Sequence, residues 1–278
     1  MSHAPKILVF DSGLGGLTVF AEVARLRPDA HLVYAADDAG FPYGALTEAV
    51  LVARVQTVIG RLIAHVAPDA VVIACNTAST LVLPHLRAAF PDMPFIGTVP
   101  AVKPAAEQSR SGLISVLATP GTVARDYTKE LIKTYAAHCK VTLVGSTKLA
   151  SLAEAVMQGV MLPDRAIAEE IAPCFVTEGE AHTDCVVLAC THYPLLLPRF
   201  EKLAPWPVEW IDSAPAIARR ADHVLREERG FALGEANGGA LHQALFTSGR
   251  RPSQALEEAL RARGLAAADF EPLPLVPV

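Results

Sequence analysis

Two strand-and-loop segments recur in the same order in the two halves of the chain, and this duplication restricts the fold more than any other feature. Ile7-Leu8-Val9-Phe10-Asp11-Ser12-Gly13 has a counterpart in Ser115-Val116-Leu117-Ala118-Thr119-Pro120-Gly121, and Val71-Val72-Ile73-Ala74-Cys75-Asn76-Thr77 has one in Val186-Val187-Leu188-Ala189-Cys190-Thr191-His192. Each is a short apolar run of buried-strand character that ends in a polar loop. In the second pair a cysteine stands at the same position after both strands. Two similar α/β domains facing each other are expected.

Further β-branched runs, at residues 31–35, 141–144 and 208–211, alternate with longer helical patterns, the rhythm of an α/β fold with mostly parallel sheets. Leu46, Val50, Val55, Val58, Ile59, Leu62 and Ile63 recur at helical spacing behind Thr47, a good N-cap, so a crossover helix is expected there. An amphipathic surface helix is expected over residues 254–263, with Leu256 and Leu260 inward. The proline-rich stretches 91–104 and 205–215 mark two crossings between domains. The expected division is 1–98 plus 211–278 for the first domain and 99–210 for the second, with Trp210-Ile211-Asp212-Ser213 and the strand-like 241–247 rejoining the first. The active site of such a pseudo-symmetric pair belongs in the cleft between them.

At roughly 150 residues per domain, 278 residues suffice for both. An apolar fraction of 51% with only 19% charged residues excludes disorder. The net charge of −5, without a long run of either sign, gives nothing to wrap a polyphosphate, so nucleic acid is not an expected partner. Mean hydropathy is +0.32. Even so, the longest uncharged stretch, residues 70–86, holds Asn76, Thr77, Ser79, Thr80, Pro84 and His85 and is too polar for lipid. Only four apolar residues separate Lys6 from Asp11, too few for a signal peptide. No membrane is expected as a partner, and the expected location is the cytoplasm. Five cysteines with no C-x-x-C pair make no disulfide framework.

Ligands of parallel sheets bind beyond the carboxyl ends of the strands, where Asp11, Cys75, Thr119 and Cys190 stand. Each cysteine also precedes an expected helix N-terminus, whose free N–H groups and dipole favour an anion. A thiol there is expected to have a pKa below its free value of about 8.5. Two thiols on opposing domains suit inversion of a stereocentre beside a carboxylate, which needs a base on one face and an acid on the other. Racemisation of an amino acid is that reaction. Its carbanion-like transition state requires fixed donors in a closed site, and Asn76, Thr77 and Thr191 are placed to supply them. A hinged binding module that closes on an anion is the alternative class, although it has no need of a thiol on each lobe.

Other candidates read differently. Gly13-Leu14-Gly15 lacks the third glycine of a dinucleotide fingerprint and is read as a tight turn that lets backbone approach a small carboxylate. Asp37 and Asp38 are read as turn-starting residues outside the site. Cys185 and Cys190 are separated by five residues of extended chain at about 3.3 Å each, too far for one metal, so no metal is expected. Nothing around Lys103 or Lys148 marks a pyridoxal lysine, and no cofactor is expected. Cys139 and Cys174 read as ordinary thiols, whereas His192 is expected to tune Cys190.

Phe10-Asp11-Ser12-Gly13-Leu14-Gly15-Gly16-Leu17, Phe41-Pro42-Tyr43-Gly44, Ala74-Cys75-Asn76-Thr77-Ala78-Ser79, Ala118-Thr119-Pro120-Gly121-Thr122-Val123, Ala189-Cys190-Thr191-His192-Tyr193-Pro194-Leu195 and Asp212-Ser213 together resemble the glutamate racemase family, in its order, from Ile7 to about Phe246. The resemblance implies a pyridoxal-independent conversion of L-glutamate to D-glutamate for bacterial peptidoglycan. It implies that Cys75 and Cys190 are the acid/base thiols, Cys75 acting on the D-enantiomer and Cys190 on the L-enantiomer. It also implies that Asp11 and Ser12, Tyr43 and Gly44, Asn76 and Thr77, Thr119 and Thr122, and Thr191 and His192 bind substrate, Asp11 and His192 also assisting proton transfer. Glu154 falls where the family has an auxiliary carboxylate, although Ser146-Thr147 replaces a common Cys-Pro there and Ser151 a common Pro. Aspartate and hydantoin racemases are the nearest rivals, and His192-Tyr193-Pro194 favours glutamate. A second copy of the chain, in a homodimer, is a candidate partner.

Overall fold

A computed structural model describes residues 3–236, 239 and 242–274. The strands are, in chain order, β1 (Lys6–Asp11), β2 (His31–Ala36), β3 (Ala70–Ile73), β4 (Phe95–Gly97), β5 (Leu113–Ala118), β6 (Lys140–Gly145), β7 (Thr177–Glu178), β8 (Ala181–His182), β9 (Cys185–Ala189), β10 (Glu209–Asp212), β11 (His242–Phe246) and β12 (Leu265–Ala267). One sheet has the order β12-β11-β2-β1-β3-β4 and a second the order β10-β9-β5-β6. Every pairing in both is parallel; β7 and β8 form a small antiparallel hairpin. The order β2-β1-β3-β4 is repeated as β6-β5-β9-β10, so the duplication extends over four strands.

Both faces of the first sheet are covered. Ile7 and Val9 meet Leu17 and Phe20 of the helix Leu17–Leu26, while Leu8 and Phe10 meet Leu51, Val55, Ile59 and Leu62 of the helix Glu48–Val66. Burial on both sides is why these strands read as unbroken apolar runs rather than as alternating ones. In the second sheet Val116 and Val187 face Val102 and Ala105, and Val186 and Leu188 face Leu149, Ala153 and Ile167.

The helix Glu48–Val66 begins where its cap predicts, Thr47 Oγ1 accepting the Val50 N–H at 3.5 Å. Its length and mean hydropathy of 1.5 would fit a membrane span. In the fold its apolar side lies on the first sheet, and it carries Arg54 and Arg61. The expected C-terminal helix spans Gln254–Arg261, capped by Ser253, with Leu256 and Leu260 buried.

One expectation is corrected. Trp210, Ile211 and Asp212 do not rejoin the first sheet; β10 pairs with β9 along Glu209↔Cys185 to Asp212↔Leu188, so a division at residue 211 cuts through a strand of the second sheet. As the counterpart of β4, β10 covers the open edge of β9. The chain returns only after Asp212, through the helix Ala214–His223, whose Ala214, Ile217, Ala218 and Ala221 complete the core against the helix Leu17–Leu26. The strand-like run 241–247 is β11 on the first sheet, its expected first residue Leu241 lying outside the described residues.

Candidate active site

β2 and β3 flank β1, and β6 and β9 flank β5, so each sheet has a crevice at its carboxyl edge where the crossovers diverge. Asp11 ends β1, Cys75 lies two residues beyond β3, and Thr119 and Cys190 directly follow β5 and β9. Contacts between the sheets join these ends. Thr77 Oγ1 lies 3.4 Å from Thr119 Oγ1, Thr191 Oγ1 donates to Asp11 Oδ2 at 3.4 Å, and the Leu14 N–H donates to Glu154 Oε1 at 2.5 Å. Thr122 caps the edge, its Oγ1 3.1 Å from that of Thr119.

Cys75 is the N-cap residue of the helix Asn76–Ala89, with its Sγ 3.9 Å from Ser12 Oγ. Its pKa runs opposite to expectation. Burial and the neighbouring Asp11 carboxylate push the thiol well above its ordinary value, and the Ala78 N–H at the helix start opposes them only in part. A dipole of about half a charge does not offset desolvation of a thiolate that is nearly sealed from water. Cys190 is followed not by a long helix but by the 3-10 turn Tyr193–Leu196, which runs into the short helix Leu197–Leu203.

The partner of Cys190 is a side chain instead. His192 Nδ1 lies 3.9 Å from Cys190 Sγ, and Nε2 is 2.8 Å from Glu154 Oε1. Burial acts against the imidazolium, but Cys190, Glu154 and Asp11 outweigh it and hold the His192 pKa well above the ordinary imidazole value. The row Cys190, His192, Glu154 and Leu14 N–H therefore runs from the second strand end to the loop after β1. Asp11, fully buried, accepts from the Ser12 N–H at 2.8 Å and the Gly16 N–H at 2.7 Å. Burial raises its pKa despite these donors and His192.

The loop glycines make room for those same groups. A Cβ on Gly15 would lie 2.6 Å from the His192 backbone N, and one on Gly13 would collide with Glu154 Oε1. The close approach is thus to His192 and Glu154, and neither glycine has a positive φ that a tight turn would demand.

Asn76 differs from the other polar residues. It is 3% exposed, and both its Oδ1 and Nδ2 lack a hydrogen-bond partner. Buried polar groups are nearly always paired, so an unpaired amide at a strand-end crevice is a ready site for a ligand. Tyr43 is placed differently: its hydroxyl donates to Asp37 Oδ2 at 2.6 Å, while Gly44 is exposed. Asp37, assigned only to a turn by its sequence, is fully buried at this rim. Its partners Arg54 and Thr247 are 17 and 210 residues away, so no local pattern announces it.

The remaining cysteines and lysines lie elsewhere. Cys185 begins β9, at the opposite end from Cys190. Lys103 and Lys148 are largely exposed and pair with Glu107 and Glu170.

Residues 18–221 match the Asp/Glu/hydantoin racemase family. The chain is 55% identical over 259 residues to a glutamate racemase of Rhizobium meliloti (strain 1021), covering 93% of this chain and 92% of that protein. Among solved structures, the Escherichia coli glutamate racemase in complex with L-glutamate and the activator UDP-MurNAc-Ala superposes with a TM-score of 0.86 at 37% identity, covering 98% of this chain and 99% of the other. A glutamate racemase isoform of Bacillus anthracis gives a TM-score of 0.79 at 26% identity, covering 97% and 98%. Together with the paired strand-end thiols and the repeated sheets, these likenesses establish that the chain belongs to the Asp/Glu/hydantoin racemase family and is an enzyme of the isomerase class.

Proposed function

We propose that this enzyme interconverts L- and D-glutamate with two cysteine acid/bases, in a cleft between two lobes formed by the two repeated sheets. The observation that carries the reading is the pair of thiols at equivalent strand ends of the repeated sheets, beside the unpartnered amide of Asn76. In the direction from L-glutamate, Cys190 in its thiolate form removes the α-proton, and the thiol of Cys75 delivers a proton to the opposite face. Cys190 ends protonated and Cys75 ends as thiolate, the state that accepts D-glutamate. The raised pKa of Cys75 supports its being the proton-bearing member when L-glutamate enters.

The groups around the thiols fit this task. His192, carrying a proton between Cys190 and Glu154, stabilises the Cys190 thiolate. Asp11 lies at Cys75 and, through Thr191, at the loop after β9, where it assists proton transfer on the first side. Asn76, Thr77, Thr119, Thr122, Thr191 and Ser12, with the turn at Tyr43 and Gly44, bind the substrate's two carboxylates and its ammonium group. Cys75 and Cys190 are 6% and 7% exposed, so a bound substrate replaces the little water that remains. D-Glutamate made in the cytoplasm would serve peptidoglycan synthesis.

The test is substitution of each thiol. Cys75→Ser and Cys190→Ser should each abolish turnover of both enantiomers while circular dichroism stays unchanged, and alanine at Cys139, Cys174 or Cys185 should leave turnover largely intact. Near-normal turnover by either serine variant would end the two-thiol reading.

A further inference from the structure

The fully buried carboxylate of Asp37 sits outside the reacting groups yet gathers four donor bonds. Arg54 donates through Nε to Oδ2 at 3.0 Å and through Nη2 to Oδ1 at 2.5 Å. Thr247 Oγ1 donates to Oδ1 at 2.5 Å and the Tyr43 hydroxyl to Oδ2 at 2.6 Å. These donors come from the rim turn Tyr43–Ala45, the helix Glu48–Val66 and the end of β11. Arg54 also donates to the backbone oxygens of Leu273 and Pro274, and the Leu273 N–H donates to Thr247 O at 2.7 Å. The C-terminal stretch is thereby fastened to the same guanidinium.

We propose that Asp37 is a positioning residue for substrate binding: clamped by Arg54 and Thr247, it fixes Tyr43 and with it the Tyr43-Gly44 turn at the cleft rim. This rests on the proposed role of that turn in holding glutamate. A buried ion pair adds little stability over apolar side chains of the same shape, but four directed bonds on one carboxylate specify a position. Tyr43 is itself 2% exposed in the same core cluster as Phe10 and Cys75, so its ring has one seat and the Asp37 bond selects it. Burial and Asp37 hold the phenol pKa well above its ordinary value, which keeps the hydroxyl a donor. Gly40 agrees with this assignment: a Cβ there would lie 2.7 Å from Asp37 Oδ2 and 3.0 Å from Tyr43 Cε1, so the chain passes directly over the contact.

The test separates KM from kcat for glutamate, with wild-type turnover in the same assay checking the underlying reading. Thr247→Val, which removes one clamp bond, should raise KM about tenfold with kcat changed less than about threefold, and Thr247→Ser, which keeps the hydroxyl, should restore the wild-type KM. Tyr43→Phe should raise KM by a similar factor. Asp37→Asn strands the buried Arg54, so the threonine pair and Tyr43→Phe decide the matter if that variant fails to fold. A wild-type KM in both Thr247→Val and Tyr43→Phe, or a fall in kcat at constant KM, would overturn the assignment even if the wild-type enzyme racemises glutamate as proposed.

Discussion

Gly15→Ala adds a single methyl group at the seam between the sheets. That methyl would lie 2.6 Å from the His192 backbone N and 2.7 Å from its Cγ, about 0.8 Å short of an ordinary contact at the backbone N. The methyl would also collide with His192 Nδ1, and although that ring could turn, the backbone N could not, so either the loop after β1 or the Cys190-His192 segment must withdraw by most of that distance. Overpacking of this kind costs about 1–3 kcal/mol of stability. A displacement approaching 1 Å at a group that orients the proposed catalytic thiol costs about a hundredfold in rate. The assay is kcat/KM from each enantiomer, with thermal unfolding as the control. Because the equilibrium constant between enantiomers is unity, both values must fall by the same factor. A folded Gly15→Ala enzyme within threefold of wild type would refute the close placement of His192 against this loop.

Three further outcomes are expected. Asn76→Ala should weaken substrate binding about tenfold or more while leaving the melting temperature unchanged or higher, because the unpaired amide costs desolvation in the free enzyme; a lower melting temperature would show that Asn76 supports the fold. Glu154→Gln should lower turnover about tenfold and, by removing one cause of the raised His192 pKa, should destabilise in a pH-dependent way. A raised histidine pKa contributes stability that is complete below the unfolded value near 6.5 and lost as pH climbs through the folded value. The melting deficit of Glu154→Gln should therefore be larger at about pH 6 than in alkaline buffer, and the opposite trend would contradict the His192–Glu154 pair. Activity should survive dialysis against a chelator without added pyridoxal phosphate, whereas a requirement for either would point to other chemistry.

The repeated strands were legible because both faces of β1, β3, β5 and β9 are buried, which leaves unbroken β-branched runs ending in cysteine or a small polar residue. β4 escaped notice because it is three residues long inside a proline-rich stretch, and β12 because Leu265-Ala266-Ala267 has no β-branched side chain. The sequence of β10 marks a strand but not its sheet, since it records apolarity and not which edge the strand will cover. The strand-end positions of Asp11, Cys75, Thr119 and Cys190 followed from local pattern alone. The electrostatics around them did not: the raised Cys75 pKa comes from burial and from an Asp11 supplied by another strand, and the glycines after β1 are small because of His192 and Glu154, which come from the other half of the chain. Asp37 shows the same limit, its partners being fixed only when β11 and the C-terminal stretch fold back on β2.

The proposal that one thiol serves each face of the substrate is tested most directly by racemising L-glutamate in deuterated water and analysing both enantiomers by mass spectrometry at low conversion. With Cys190 removing the proton and Cys75 delivering another, D-glutamate should carry solvent deuterium at the α-carbon, and recovered L-glutamate should remain mostly protiated because the enclosed Cys190 tends to return the proton it took. D-Glutamate that is largely undeuterated would mean that a single base carries the original proton from one face to the other, and would contradict the two-thiol account.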